Sequence, residues 1–394
     1  MIDICPHDEC TGCSACFAAC PADAIGMKKD EQGFLYPVID GDVCLDCGLC
    51  KTICPNIHKP IKYTEQNCFV CHAIDVNEQL TSTSGGVASA ISRYVIRNGG
   101  VVYGCASLPN LRIKHIRIDN EKDISLLKGS KYVQSEIGSI YIDVKRDLQN
   151  GKTVLFIGTP CQIAGLRSFL RKQYNNLITI DFVCHGVPSV QYLRDSISHI
   201  DTTNLHVAFR SKSLNQNNEE YKTNYGVYLI TEDKKIVYSM PYPKGLYILG
   251  FINALFYRES CYSCKYSTPD RVSDFTVGDY QDNENDYSHL SGHGRVLSML
   301  KVNTFNGMRV LTNLEDYLEM LPCPISIILT KHEQLCKPMP KHNNHELFKK
   351  VYLKRGFTKA ARKALSKERI NQLKDNIKSI INAVLPYDLL FKRR

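Results

Sequence analysis

The sequence predicts an α+β chain of 394 residues: a small cysteine-rich N-terminal unit, an α/β core with parallel strands, and a helical basic C-terminal tail. Three observations carry this prediction. Two cysteine runs of one grammar fall within the first sixty residues, strand–loop–helix alternation fills the middle, and the positive charge is gathered beyond residue 330.

Residues 10–21 read CTGCSACFAACP and residues 44–55 read CLDCGLCKTICP, so C-x2-C-x2-C-x3-C-P occurs twice, thirty-four positions apart. Such a run lays three thiolates around one face of a cubane and sends the fourth to the neighbouring cluster. The spacing assigns Cys10, Cys13, Cys16 and Cys54 to one [4Fe-4S] cluster, and Cys44, Cys47, Cys50 and Cys20 to another. It predicts a ferredoxin-like 2[4Fe-4S] domain over residues 1–60. Pro21 and Pro55 turn the chain out of each short helix. Between the runs, AIGMKKDEQGFLYPVID predicts two short strands about a turn at Asp30–Gly33. A unit of this size buries too little to fold alone, and cluster ligation supplies the missing stabilisation. Zinc sites use cysteines in pairs, which argues against two zinc knuckles. Cys5 lies outside the pattern and reads as a spectator.

The remainder is globular in composition, 43% apolar and 23% charged, without an apolar run of membrane-spanning length. The N-terminus, MIDICPHDEC, lacks a basic stretch followed by an apolar one, so no secretory signal is expected. The eighteen cysteines then read as thiolates for metal or redox work in the cytoplasm. Residues 68–72, CFVCH, match the spacing of c-type haem attachment. Without export that match is read as chance, within a buried strand that puts Phe69, Cys71 and Ala73 on one face.

In the middle, TSTSGGVASAISRYVIRNGG (81–100) predicts a loop opening a helix. Ser84 is expected to cap it, and Gly85 and Gly86 to let backbone approach a ligand such as a cofactor diphosphate. Two buried strands follow, KTVLFIG (152–158) and LITIDFV (177–183). The first leads through Thr159-Pro160-Cys161-Gln162 into a helix. The second leads through Cys184-His185-Gly186-Val187-Pro188-Ser189 into another, expected to reach about residue 200. This alternation predicts a parallel sheet with ligands at the carboxyl ends of its strands, where Cys161 and Cys184 sit. Cys261 and Cys264 add a metal-spaced pair. Spacing alone leaves open a shared cubane, a zinc site or simply buried thiols.

The short motifs SxSGG (82–86), GSKYVQS (129–135), FIGTPCQ (156–162), CHGVPS (184–189), FRSK (209–212) and RESCYSCKY to SDFTVGDY (258–280) stand in one order. In that order the chain resembles the coenzyme F420 hydrogenase/dehydrogenase beta-subunit family, preceded by a fused two-cluster ferredoxin. The resemblance implies N-terminal-like and C-terminal-like domains over 61–200 and 201–330. It implies a flavin-binding core with FAD near Ser84, Gly85, Gly86, Ser130, Lys131, Thr159 and Pro160, and a third [4Fe-4S] cluster on Cys161, Cys184, Cys261 and Cys264. Lys131 is then expected beside the flavin or its phosphates, the alternative being a surface lysine. His185 is expected either to relay a proton or to serve as a structural histidine. The expected activity is that of an iron–sulfur flavoprotein oxidoreductase acting on an F420-type deazaflavin or another metabolite, as a small-molecule hydride donor or acceptor. The alternatives are an electron-transfer subunit that feeds a redox partner protein, and a non-catalytic iron–sulfur assembly or sensor protein.

From Lys331 onward the chain holds 17 basic and 5 acidic residues, against 32 and 35 before it. That distribution argues against a nucleic-acid-binding body. Residues 331–394 are expected to form basic helical segments through Leu347, Val351, Ala361, Leu365, Ile370, Leu373, Ile377 and Ile381. Such a tail suits the anionic inner face of a membrane, an acidic partner or a solvated cap on the core. The motifs end before it, so it is expected to be dispensable for chemistry.

Overall fold

The computed structural model describes residues 4–64, 67–214, 221–281, 287, 289–290, 296–372 and 374. The first unit holds two short helices, Ala15–Ala19 and Leu49–Thr52, and a hairpin of β1 (Ile25–Lys29) and β2 (Leu35–Ile39). The hairpin turns because Asp30 Oδ1 accepts from the amides of Gln32 and Phe34, with Gly33 at φ 82°.

The core sheet is built from β3 (Asn67–Ala73), β4 (Val101–Leu108), β5 (Arg112–Ile118), β6 (Val154–Ile157) and β7 (Leu177–Phe182). After an antiparallel meander of β8 (His206–Leu214), β9 (Tyr221–Ile230) and β10 (Ile236–Pro241), it is completed by β11 (Phe275–Tyr280), β12 (Leu297–Val302) and β13 (Leu318–Pro322). Its order is β13-β3-β12-β11-β7-β6-β4-β5. The centre, β4-β6-β7-β11, is parallel, and both flanks are antiparallel. β6 and β7 are buried along nearly their whole length because helices and loops cover both faces, with Asp181 of β7 paired to Arg271.

The CFVCH stretch is β3, and its side chains alternate between two buried clusters. Cys68 and Val70 enter one, while Cys71, Ala73 and the half-buried Phe69 enter the other. Cys68 and Cys71 thus point to opposite faces of a sheet and cannot serve one haem. The helix after β6, Pro160–Leu170, begins with Pro at its first position, and the Gln162 side chain accepts the Thr159 amide at 2.9 Å. The helix after Ser189 ends at Ser196, short of the expected residue 200.

The tail packs onto the core. Helix His345–Ala364, broken at Gly356 (φ 75°), buries Phe348, Tyr352, Phe357, Ala360, Ala361, Ala364 and the following Leu365 in one aromatic cluster with Tyr192, Tyr247 and Phe256. That cluster also holds Phe34 and Tyr36 of the N-terminal unit. Of the predicted stripe, Ala361 and Leu365 face the core, Leu347 and Val351 are half-buried, and Ile370 is exposed. Leu373, Ile377 and Ile381 lie outside the described residues. Up to Leu365 the tail is therefore packed onto the core, as the cap alternative expects. Among the described residues no helix is long and apolar enough to cross a membrane.

Candidate functional site

The two local cysteine sets lie in different surroundings. Cys10, Cys13, Cys16 and Cys54 are all buried and within electrostatic reach of one another. Burial pushes the Cys13 thiol up to about 12 and the Cys16 thiol higher still. Cys20, Cys44, Cys47 and Cys50 line one cavity nearer the surface, with Cys47 exposed. Cys5, read as a spectator, packs against the inner set, beside Cys10, Cys16 and Cys54.

The cysteines far apart in sequence also meet. Cys161 opens the helix after β6, Cys184 follows β7, and Cys261 and Cys264 sit in the turn before β11. All four line one cavity with Thr159, Pro160, His185 and Arg271. Parallel pairing of β6 with β7 sets the loops of Cys161 and Cys184 side by side, and the Arg258 amide, donating to Val187 O at 2.9 Å, ties the Cys261–Cys264 turn to the second of them. The Thr159 hydroxyl lies 3.1 Å from Cys161 Sγ. Burial raises the thiols of Cys161, Cys184 and Cys261, so three thiolates here call for a positive partner. The N-terminal unit touches this site directly. Thr11 lines the cavity, and a Cβ on Gly165, in the helix that Cys161 opens, would stand 3.0 Å from Cys13 Sγ.

The residues predicted around a flavin divide into two places, and some of their expected roles change. Thr159 and Pro160 belong to the cysteine cavity. Ser84 does not cap the following helix, because its hydroxyl donates to Leu297 O at 2.8 Å and meets Ser298 Oγ at 2.8 Å. Gly85 is needed for protein packing, since a Cβ there would lie 2.7 Å from Cys71 O, and Gly86 takes the positive φ of 83° before the helix. The 81–86 loop does face the 128–131 loop: Lys128 Nζ donates to Thr81 Oγ1 at 2.5 Å, and Thr83 Oγ1 lies 3.5 Å from Ser130 Oγ. Lys131 is half-buried, with Nζ donating to Leu127 O and Lys128 O at 2.9 and 2.8 Å; burial lowers its pKa.

Beside these loops stands a polar group that sequence reasoning did not single out. Arg210 on β8 donates to Asp279 Oδ2 on β11 at 2.6 Å and to the Tyr132 hydroxyl at 2.5 Å, with its guanidinium 4.9 Å from the Tyr225 ring centre. Lys212 donates to Gln79 O at 2.7 Å, and burial followed by Arg210's charge lowers its pKa to about 8. His185 has the cysteine cavity on its flank and lies within electrostatic reach of His332, Asp279 and Arg210. Its ring meets solvent at the cavity mouth, yet desolvation by the surrounding protein holds its pKa below the ordinary value. His332 Nε2 is buried without a hydrogen-bond partner among the described residues. FRSK and VGDY were the only signals for this group.

A second unpredicted network supports the Thr159 loop. Gln162 Nε2 donates to Ser135 Oγ at 2.9 Å, and Ser135 in turn meets His115 Nδ1 at 3.1 Å. His115 Nε2 donates to Ile157 O at 3.0 Å, which fixes the tautomer and leaves Nδ1 to accept. Burial drops the His115 pKa to about 4.

Over residues 9–56 the chain matches the 4Fe-4S dicluster domain, and over residues 151–323 it matches the family described as the C terminus of the coenzyme F420 hydrogenase/dehydrogenase beta subunit. Over residues 151–323 the chain is therefore similar to coenzyme F420 hydrogenase/dehydrogenase beta subunits, with a match to the 4Fe-4S dicluster domain in front. Other proteins extend the likeness. One F420H2 dehydrogenase subunit, from Methanosarcina mazei, is 23% identical over 194 residues, 46% of this chain and 54% of that protein. The coenzyme F420-dependent sulfite reductase of Methanocaldococcus jannaschii is 24% identical over 197 residues, 40% of this chain and 31% of that protein. The chain thus spans about half, or less, of the curated relatives it matches. One chain of the F420-reducing [NiFe] hydrogenase complex from Methanosarcina barkeri aligns with a TM-score of 0.44 and 14% identity, covering 70% of this chain and 89% of that one.

Proposed function

We propose that this beta-subunit relative is an iron–sulfur flavoprotein oxidoreductase, passing electrons between 4Fe-4S clusters and FAD and on to an organic two-electron substrate, an F420-type deazaflavin or another metabolite. The observation that carries the reading is the convergence of Cys161, Cys184, Cys261 and Cys264 on one cavity that Thr11 of the dicluster domain also lines. Those four would hold a third cluster. Four thiolates are the ligand set of a cubane. When bound, clusters supply one-electron steps and FAD converts them to two-electron chemistry.

The remaining roles belong to the chain's own side chains. Ser82 Oγ is buried without a partner among the described residues and, with Ser130, offers hydrogen bonds to a cofactor between the two facing loops. Lys212 supplies positive charge for an anionic cofactor or substrate, while Arg210 and Lys128 are already paired with Asp279 and Glu78. His185, held largely neutral at pH 7, is placed to accept a proton at the cavity mouth. Lys131 acts through the 128–131 loop it braces. The Gln162–Ser135–His115 chain keeps the Thr159 turn in register with β6.

A second reading has its own support. Cys47 is exposed, and Leu45 (69% exposed) and Ile61 (66%) add apolar surface to the same unit, as a docking face for a redox partner protein would. The chain would then be an electron-transfer subunit, and turnover of a small molecule with no added protein separates the two. We place the protein in the cytoplasm, with the exposed basic face of helix His345–Ala364 available to an acidic partner or to anionic lipid; vesicle binding at low salt tests the latter. The decisive experiment is anaerobic purification with flavin and iron quantitation. About twelve irons per chain and released FAD are expected. No flavin after reconstitution with FAD refutes the oxidoreductase reading, and about eight irons refutes the third site.

A further inference from the structure

Arg258 is the largest side chain with no solvent exposure at all. Among the described residues no carboxylate pairs with it, and burying a guanidinium without a counter-charge is costly. Its donors go elsewhere. Nε donates to Cys10 O at 2.6 Å, Nη1 to Gln134 Oε1 at 3.2 Å, and Nη2 to Leu35 O at 3.0 Å and to Cys10 Sγ at 3.7 Å. The plane lies over Tyr36 with its carbon 4.1 Å from the ring centre. A Cβ on Gly12 would meet Nη1 at 2.9 Å, so the cysteine run itself makes room for this cation.

Arg258 is not part of the dicluster domain. It belongs to the core, three residues before Cys261, and its amide donates to Val187 O at 2.9 Å in the loop that begins with Cys184. One residue therefore joins two of the three loops of the distant cysteine set by its backbone and grips the inner local set by its side chain. The unpaired positive charge is aimed at a sulfur, and the anion that matches it is a thiolate-ligated cluster on Cys10, Cys13, Cys16 and Cys54.

We propose that Arg258 is a positioning residue that raises the reduction potential of the inner cluster and ties it to the core. Uptake of one electron adds one negative charge to the cluster and its thiolates, and no proton moves, since the guanidinium stays charged throughout. A fixed cation with an N–H directed at Cys10 Sγ stabilises that reduced form. The inference rests on the dicluster domain alone, not on FAD or the third site.

The test is a mediator-coupled redox titration of the intact protein, followed by electron paramagnetic resonance, on Arg258→Met and Arg258→Gln, with Arg146→Met as a surface-cation control. With wild-type iron content, one cluster's reduction equilibrium constant should fall about tenfold or more in both Arg258 variants. The other clusters and the control should be unmoved. Unchanged potentials in an iron-replete variant overturn the proposal. If neither variant keeps its iron, wild-type protein carrying 15N-labelled arginine decides: pulsed resonance on the reduced protein should show 15N coupling to a cluster, and its absence overturns the proposal. Wild-type protein that assembles no cluster on the inner set would instead overturn the dicluster reading beneath it.

Discussion

The molecule gathers cysteines in two ways. In the N-terminal unit each run spans eleven residues, a loop followed by a short helix that holds one of its four cysteines. In the core, Cys161 and Cys264 are separated by about a hundred residues, and they reach one cavity only through the parallel pairing of β6 with β7 and the backbone bond from Arg258 to the loop after β7. The local sets depend on spacing and metal; the distant set depends on a sheet that must fold first. The two regions should therefore fail differently.

The largest contrast comes from the tail. His345 Nδ1 lies 2.8 Å from Leu255 O and 3.2 Å from the hydroxyl of Tyr262, which stands between Cys261 and Cys264. Truncation after residue 340 removes this brace and the buried Phe348, Tyr352 and Phe357. Loss of a single such aromatic side chain costs about 3–5 kcal/mol. Iron analysis and thermal unfolding should show the distant site lost and the core melted. Full retention of iron and melting temperature would show that the two regions are equally self-sufficient.

A narrower cut is Cys184→Ala. It should remove roughly four of about twelve irons, leave the dicluster spectrum intact and uncouple it from flavin reduction. Unchanged iron would sink the third-cluster assignment.

Acid should then act on the core through His115. Its folded pKa of about 4 lies below the ordinary 6.5, so the unfolded chain binds the proton more readily between those values. Stability is complete above pH 6.5 and is lost as pH falls toward 4, by on the order of 3 kcal/mol. His115→Gln should flatten this window in chemical denaturation curves, and an unaltered pH profile would remove His115 from the account.

The smallest effect is expected at Cys71. Its thiol is fully buried and donates to Ser298 O at 3.6 Å, away from every cysteine cavity. Cys71→Ala should leave iron and coupling unchanged while costing less than about 2 kcal/mol. Lost iron would show that β3 carries a ligand after all.

Read residue by residue, the sequence by itself determined what depends on near neighbours. The repeated cysteine grammar named the dicluster domain because ligand spacing within one run of eleven residues is a local matter. The alternation in CFVCH described β3, since a strand's faces follow from its period, and Thr159-Pro160-Cys161-Gln162 announced a helix start because caps act within one turn. The motif order pointed to the beta-subunit family. Only the tertiary structure decided which distant groups meet. It put Ser84 on Leu297 and Ser298 instead of on its own helix, made the basic tail a wall of the core, assembled Arg210 with Asp279, and buried Arg258 against Cys10. Each of these rests on partners tens to hundreds of residues away, brought together by burial and sheet pairing, and no local pattern encodes such a meeting.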